Sequence, residues 1–213
     1  MNDNHDPLNL NFESICYWLS TGFFLGKTTF FKNQFVSKAV GKEEWNWHYS
    51  PRYIPFEQVM DEFSSLFESL IQDYTKEKRV ILPLSGGLDS RTLAAALKGH
   101  KDVVAVSYEF ENGVRETEYA RQIAVACEWE FHGYTIPRGY LWEKLDELAD
   151  INQCQTEFTH PRQMAVIDEI AQFGDLILSG QWGDVLFDVH GIADDANLDQ
   201  QAHFTIEKVA KPG

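Results

Sequence analysis

Long apolar runs, paired cysteines and basic residues are all scarce in this chain, and each scarcity closes a class of function. No stretch of the 213 residues reaches the roughly 18 consecutive apolar residues that a membrane span requires. The polar start MNDNHDP is not a signal peptide. Three cysteines, Cys16, Cys127 and Cys154, leave an odd thiol over and include no CxxC spacing, so they read as reduced thiols with no disulfide frame and no zinc site. With 18 Lys+Arg against 33 Asp+Glu the formal net charge is −15, a surface that repels phosphate backbones and argues against a nucleic-acid partner. What is there is a chain 44% apolar, enough for a real core. The expectation is a globular, cytoplasmic protein.

The most informative stretch is RVILPLSGGLDSRTLAAAL, Arg79 to Leu97. Val80, Ile81, Leu82 and Leu84 make a short apolar run of strand length; the chain then turns through Ser85, Gly86 and Gly87 into an amphipathic helix carrying Leu93, Ala94 and Leu97. The glycines remove side chains that would keep an anion from the backbone N–H groups, and Ser85 and Ser90 add hydroxyls where the positive end of the helix dipole points. A phosphate fits there. Asp89 places a carboxylate in the same anion site, which makes sense if a divalent cation rides on the phosphates. The plainer alternative is an ordinary βα turn with Ser90 as a cap, but SGGLDS after an apolar strand is more specific than a Gly-rich bend.

Residues 1 to 11 are polar and expected to be loose. From Ile15 to Phe35 aromatic and β-branched residues are interrupted by Gly22 and Gly26, a pattern that suits short strands or a small hairpin. Residues 37 to 55 have no period and read as a linker; His48 has no partner at metal spacing. Phe56 to Tyr74 is a helix whose Val59, Phe63, Leu66, Phe67, Leu70, Ile71 and Tyr74 form one wide apolar face that must pack on something large. After the loop helix come a strand at Val103 to Tyr108, a helix at Glu116 to Ala126, a strand at Phe131 to Ile136 and a helix at Tyr140 to Ala149. A further helix opens at Thr159-His160-Pro161 and runs to about Gln172, followed by a strand at Asp175 to Ser179 and one last helix through Leu198, Ala202 and Ile206. This alternation predicts an α/β fold, an open, mostly parallel sheet flanked by helices.

Ligands of such sheets bind at the carboxyl ends of the strands, where strand order reverses. The first strand ends at SGGLDS and the fourth at Ser179-Gly180-Gln181-Trp182-Gly183-Asp184. If these two strands are neighbours, the loops face each other across one cleft, and Asp89 and Asp184 flank a triphosphate and share magnesium. The plainer alternative for Asp184 is a turn or helix-start carboxylate; with the first loop in place the ligand role is favoured.

SGGLDS resembles the pyrophosphate-binding loop of the N-type ATP pyrophosphatases, which include asparagine synthetase, GMP synthetase, NAD synthetase and argininosuccinate synthetase. The second loop, SGQWGDVLFDVH, resembles the SGEGADELFGGY signature of the asparagine synthetases through Ser179, Gly180, Asp184, Leu186 and Phe187. The run from Glu116 to Ala120 resembles the acidic helix start after their second strand, and Ile15 to Phe35 resembles the close of their glutaminase domain. The resemblance implies an adenine-nucleotide alpha-hydrolase-like fold at 51–213, preceded at 1–50 by a β-rich remnant of a glutaminase domain and linker. It implies ATP and Mg2+ as cofactors, adenylylation of a carboxylate, aspartate or another, and amide formation with ammonia derived from glutamine. Leu84, Ser85, Gly86, Gly87, Leu88, Asp89, Ser90, Ser107 and Gly180 would bind the nucleotide, Asp89 and Asp184 the metal, and Gln181 and Asp184 would stand at the reacting centre. The implied partners are these small molecules and either a second copy of the chain or a separate glutaminase.

The chain departs from that pattern in places. Position 2 is Asn2, not the cysteine that serves as glutaminase nucleophile. Gln181 stands for a glutamate; an amide keeps hydrogen bonds but cannot accept a proton. Trp182 stands for a glycine. The family also continues into a helical region that supplies a lysine, so a shortened synthetase, or a nucleotide-binding fragment without turnover, is the expectation here. A related β-lactam-forming or other amide ligase is the third reading.

Overall fold

Val80, Leu82 and Leu84 point to one side of their strand and Ile81 to the other, and both sides are buried, as period-two alternation in a doubly covered strand requires. In the computed structural model, which describes residues 9–24, 26–35, 50–152, 161–181 and 196–209, this strand, β1 (Val80–Pro83), lies inside a four-stranded sheet. The others are β2 (Val103–Phe110), β3 (Glu130–Ile136) and the two-residue β4 (Leu176–Ile177). Their order is β3-β2-β1-β4, and every pairing is parallel.

The described residues divide into two compact units, one drawn from 50–144 and 161–188, the other from 1–49, 145–160 and 189–213. The first unit holds the sheet. Its helices are α2 (Phe56–Thr75), α3 (Leu88–Ala96), α4 (Glu116–Ala126) and the single turns α5 (Tyr140–Glu143) and α7 (Ile167–Ile170). One core cluster joins Ile71 of α2, Val80, Leu82 and Leu84, Leu93 and Ala94 of α3, Val103 and Ala105, and Ala120 and Ala124 of α4. On the opposite face Ile81, Val104 and Val106 pack with Val166 and Ile170. Helices on both faces of a parallel sheet are the arrangement the alternation of strands and helices predicts.

Three local expectations are corrected. The segment from Pro161 to Gln172 is not one helix: a 3₁₀ turn at Arg162–Ala165 is followed by α7 and a second 3₁₀ turn at Ala171–Phe173. Val166, at φ −136° and ψ 17°, leaves helical geometry, as a β-branched residue does readily. The helix expected over Tyr140 to Ala149 ends at Glu143, and Leu145–Asn152 is a separate helix, α6, in the other unit. Third, most of the apolar face of α2 stays exposed: Leu66 is 61% and Leu70 45% accessible, and burial is concentrated at Ile71 and Thr75. A 20-residue helix is about 30 Å long, whereas the four residues of β1 span only about 13 Å. The helix overruns its strand.

In the second unit the expectation of strands or a hairpin from Ile15 onward is overturned where the chain is helical, at Phe12–Thr21; residues 1–8, 25 and 36–49 of the β-rich segment assigned to 1–50 lie outside the described residues. Phe12–Thr21 is a helix, α1. Asn11 caps it, its side chain accepting the Ser14 N–H at 3.2 Å, and Gly22 closes it in the left-handed conformation at φ 85°, a position that suits glycine. Among the described residues Leu10 forms an antiparallel bridge with Phe31. Trp18 and Phe24 pack against Phe30 at 5.6 and 4.7 Å between ring centroids. The unit also holds α6 and a last helix, α8 (Leu198–Val209).

Candidate functional site

The chain leaves β1 at Leu84, whose N–H donates to Val106 O at 2.7 Å, and makes a closed loop before α3. Ser90 is the buried pivot, 7% exposed. Its Oγ accepts the Ser85 N–H at 3.1 Å and donates to Ser85 O at 3.1 Å or Gly87 O at 3.3 Å. Ser85 Oγ lies 3.1 Å from Ser90 Oγ and accepts the Gly87 N–H at 3.1 Å. The serines therefore hold the loop in shape. The amides of Leu88, Asp89 and Ser90 open α3 and have no carbonyl one turn behind them, which leaves positive partial charge at the loop.

Neither loop glycine has a positive φ; space requires them. A Cβ on Gly86 would stand 3.3 Å from Tyr119 Cβ of α4, and one on Gly87 would stand 3.2 Å from Ser85 Oγ.

The strand order places β4 beside β1 on the side away from β2, so the order reverses between β1 and β4 and the loops that follow them are neighbours. They meet at Gly180: a Cβ there would lie 3.1 Å from both Asp89 C and Ser90 N. Around this junction is a cavity of about 240 Å³, lined among others by Leu84, Ser85, Gly87, Asp89, Ser90, Ser107, Gly180 and Gln181. The volume falls just below the ~300–1,000 Å³ of ligand sites, room for part of a nucleotide.

Eight of the expected site residues thus share one cavity. Gly86 is not in its wall, and Leu88 is 74% exposed and also outside it. Asp184 lies outside the described residues, as do His48, Cys154, Trp182, Thr159 and His160.

The structure adds wall residues that sequence reasoning did not assign to the site: Tyr108, Glu116 and Gln163. Glu116 begins α4, where Thr117 Oγ1 donates to Glu109 at the end of β2 and ties the helix start to the strand. Tyr108 follows Ser107 at the same strand end. Burial pushes its phenol above the ordinary value; the Arg162 cation opposes the shift, and Glu116 and Tyr140 add to it. Arg162 stacks 5.4 Å above the Phe110 ring. Tyr108 and Glu116 were legible as neighbours of assigned residues, whereas Gln163 carries no local signal.

Asp89 and Glu116 are the carboxylates of the wall. Oxygen donors of this kind suit a hard cation such as Mg2+. Among the described residues no group of three or more His, Cys, Asp or Glu could hold a metal ion, so such an ion would complete its shell with phosphate oxygens and water.

Comparison with known proteins gives three findings. No curated protein matches the chain. It is similar to the solved structures of a glutamine-dependent NAD+ synthetase from Acinetobacter baumannii in complex with ADP and an NH3-dependent NAD synthetase from Campylobacter jejuni subsp. jejuni NCTC 11168 in complex with nitrate. The first shares 20% identity over 66% of this chain with a TM-score of 0.45; the second shares 20% over 59% with a TM-score of 0.40. The match spans 28% and 58% of those two chains. The asparagine synthase family model matches residues 65–208, a range that takes in both loops and the sheet between them. On that match the chain belongs to the asparagine synthase family, the synthetase domain of the N-type ATP pyrophosphatase group whose loop it carries at Ser85 to Ser90.

Proposed function

We propose that this protein is an ATP-utilising, amide-forming ligase domain that activates a carboxylate, aspartate by resemblance, through adenylylation. The observation that carries the reading is the junction at Gly180, where the loop after β4 closes on the first turn of α3 and makes one cavity of both loops. The pyrophosphate end of ATP lies over the amides of Gly86 to Ser90 with Ser85 and Ser90 holding the loop, and the base lies toward Leu84, Ser107 and Gly180. Asp89, with Asp184, would hold Mg2+, which would supply neutralising charge for the phosphates.

In the step itself a carboxylate oxygen of the substrate attacks the α-phosphorus, the bond from that phosphorus to the bridging oxygen breaks, and pyrophosphate leaves. Ammonia then attacks the acyl carbon, AMP departs and a proton is lost from nitrogen. Donors fixed in advance at the loop stabilise the charge that gathers on the leaving pyrophosphate.

A second reading, nucleotide binding without turnover, is favoured by Gln181 in the cavity wall, where the family's glutamate would carry charge. One experiment separates them: calorimetric titration of ATP with magnesium into the wild type and Asp89→Ala, followed by incubation with aspartate. Micromolar binding that the substitution weakens, with AMP formed, supports the ligase. Binding without AMP supports the second reading, and the absence of binding overturns both.

A further inference from the structure

Gln163 stands in the wall of the main cavity without a partner of its own. It belongs to the 3₁₀ turn Arg162–Ala165 and is half-buried, and its side-chain amide makes no hydrogen bond among the described residues. The turn is pinned on both sides of it. Arg162 stacks above the Phe110 ring at the end of β2. The Val166 N–H donates to Gln163 O at 3.0 Å, and Ala165, Val166 and Ile170 pack against Ile81, Val104 and Val106. The backbone that carries the amide is therefore set by the sheet, and only the side chain is left to turn.

Position narrows what the amide meets. Helix α3 packs on the sheet face of Leu82 and Leu84, whereas the turn lies on the face of Ile81 and Val106. The cavity runs between them across the carboxyl ends of the strands, with Ser85, Gly87 and Ser90 toward α3 and Gln163 on the other side. Phosphates gathered at the first turn of α3 leave that far wall to the rest of the nucleotide. Val106, whose carbonyl accepts the Leu84 N–H, lines the cavity too, so the turn covers the strand ends, Leu84 and Ser107, that take the base in the nucleotide reading.

We infer that Gln163 is the residue that reads the base, its amide accepting from the 6-amino group of adenine and donating to the adjacent ring nitrogen. This rests on the nucleotide reading above and extends it to the choice of base. The chemistry selects this group. A primary amide sets an acceptor beside two donors, the pairing by which glutamine and asparagine recognise an adenine edge. A phosphate or a carboxylate offers acceptors alone and would leave the amide carbonyl unpaired, at a cost that rises as the site closes to water.

The test is titration of ATP, AMP, purine riboside triphosphate and inorganic pyrophosphate, each with magnesium, into the wild type and Gln163→Leu. Purine riboside triphosphate is ATP without its 6-amino group; leucine is close to glutamine in size and forms no hydrogen bond. The expected result in Gln163→Leu is about tenfold weakening for ATP and AMP alike, with pyrophosphate affinity unchanged. The penalty for removing the amino group falls by a similar factor, because ligand and variant delete the same contact. Wild-type ATP affinity in Gln163→Leu overturns the assignment alone. So does an amino-group penalty that the substitution leaves intact, and so does an equal loss for pyrophosphate, which marks a purely structural role. A wild type that binds neither ATP nor pyrophosphate overturns the nucleotide reading together with it.

Discussion

Gly180→Ala tests the junction on which the site depends. The added Cβ would lie 3.1 Å from Asp89 C and Ser90 N and 3.2 Å from Asp89 Cβ, against an optimum near 3.5 Å or more for carbon contacts. The two loops must therefore part by about 0.4 Å. The nearest atoms are backbone atoms and a Cβ, none of which can rotate away. Overpacking of this kind costs about 1–3 kcal/mol, and the open cavity beside the contact favours the lower half of that range. On the rough scale of 10²-fold in rate for a 1 Å misplacement, a shift of 0.4 Å slows adenylylation by about sixfold. Denaturant unfolding measures the first quantity, and pyrophosphate exchange with aspartate the second.

Gly174→Ala is the control, because it crowds the opposite end of β4, with a Cβ 2.5 Å from Arg79 O and 3.0 Å from Ile81 Cγ1. It is expected to destabilise at least as strongly while leaving the ATP affinity of the folded protein intact. A Gly180→Ala protein with wild-type stability and rate would refute the junction. So would equal losses of affinity in the two variants, since binding would then follow stability and not the contact.

Two further outcomes follow from the same geometry. Ser90→Ala leaves the Ser85 N–H without its acceptor at 3.1 Å; a donor stranded in this way costs about 1–3 kcal/mol, seen as a lower denaturation midpoint and weaker ATP binding in titration. Glu130 is held below its ordinary value of 4.5, first by its hydrogen bond with His132 and then by the charges of His132 and Arg79, with burial opposing. A depressed carboxylate contributes stability above its unfolded value, and that contribution disappears as pH falls through the folded value. Thermal melts are therefore expected to show the wild type above Glu130→Gln at neutral pH, the gap closing below about pH 4.5. The side chain is half exposed, at 51%, so the gap is small; a gap that widens toward acid would contradict the assignment.

The strand, loop and first helix were legible because local chemistry dictates them: apolar alternation from Val80 to Leu84, glycines for close approach, and a serine three residues into α3. The adjacency of β1 and β4 was legible only as a condition of the mechanism, since parallel pairing across some 96 residues (Arg79 N–H to Asp175 Oδ2) leaves no local mark. Gln163 was missed for the same reason: it comes from a 3₁₀ turn on the opposite face of the sheet. The helix α1 was missed for a different reason. Its aromatic content favours strand, but the cap at Asn11 and the terminator at Gly22 outweighed that preference, and both were visible in the sequence. For α2, periodicity identified the helix and its apolar face correctly, yet could not say how much of that face its own unit would cover.

β4 pairs with β1 through two residues, Val80 with Leu176 and Ile81 with Ile177, whereas β2 and β3 are registered over seven. Thermal fluctuation can unzip the short ladder, including the amide of Leu178 on Ile81 O at 2.9 Å, without disturbing β1 to β3, because among the described strands β4 is the outermost on the β1 side. The wall at Gly180 would travel with it while the wall at Ser85 stayed still, so exchange of the cavity's contents with bulk water would be timed by the lifetime of a two-residue ladder, not by the stability of the fold.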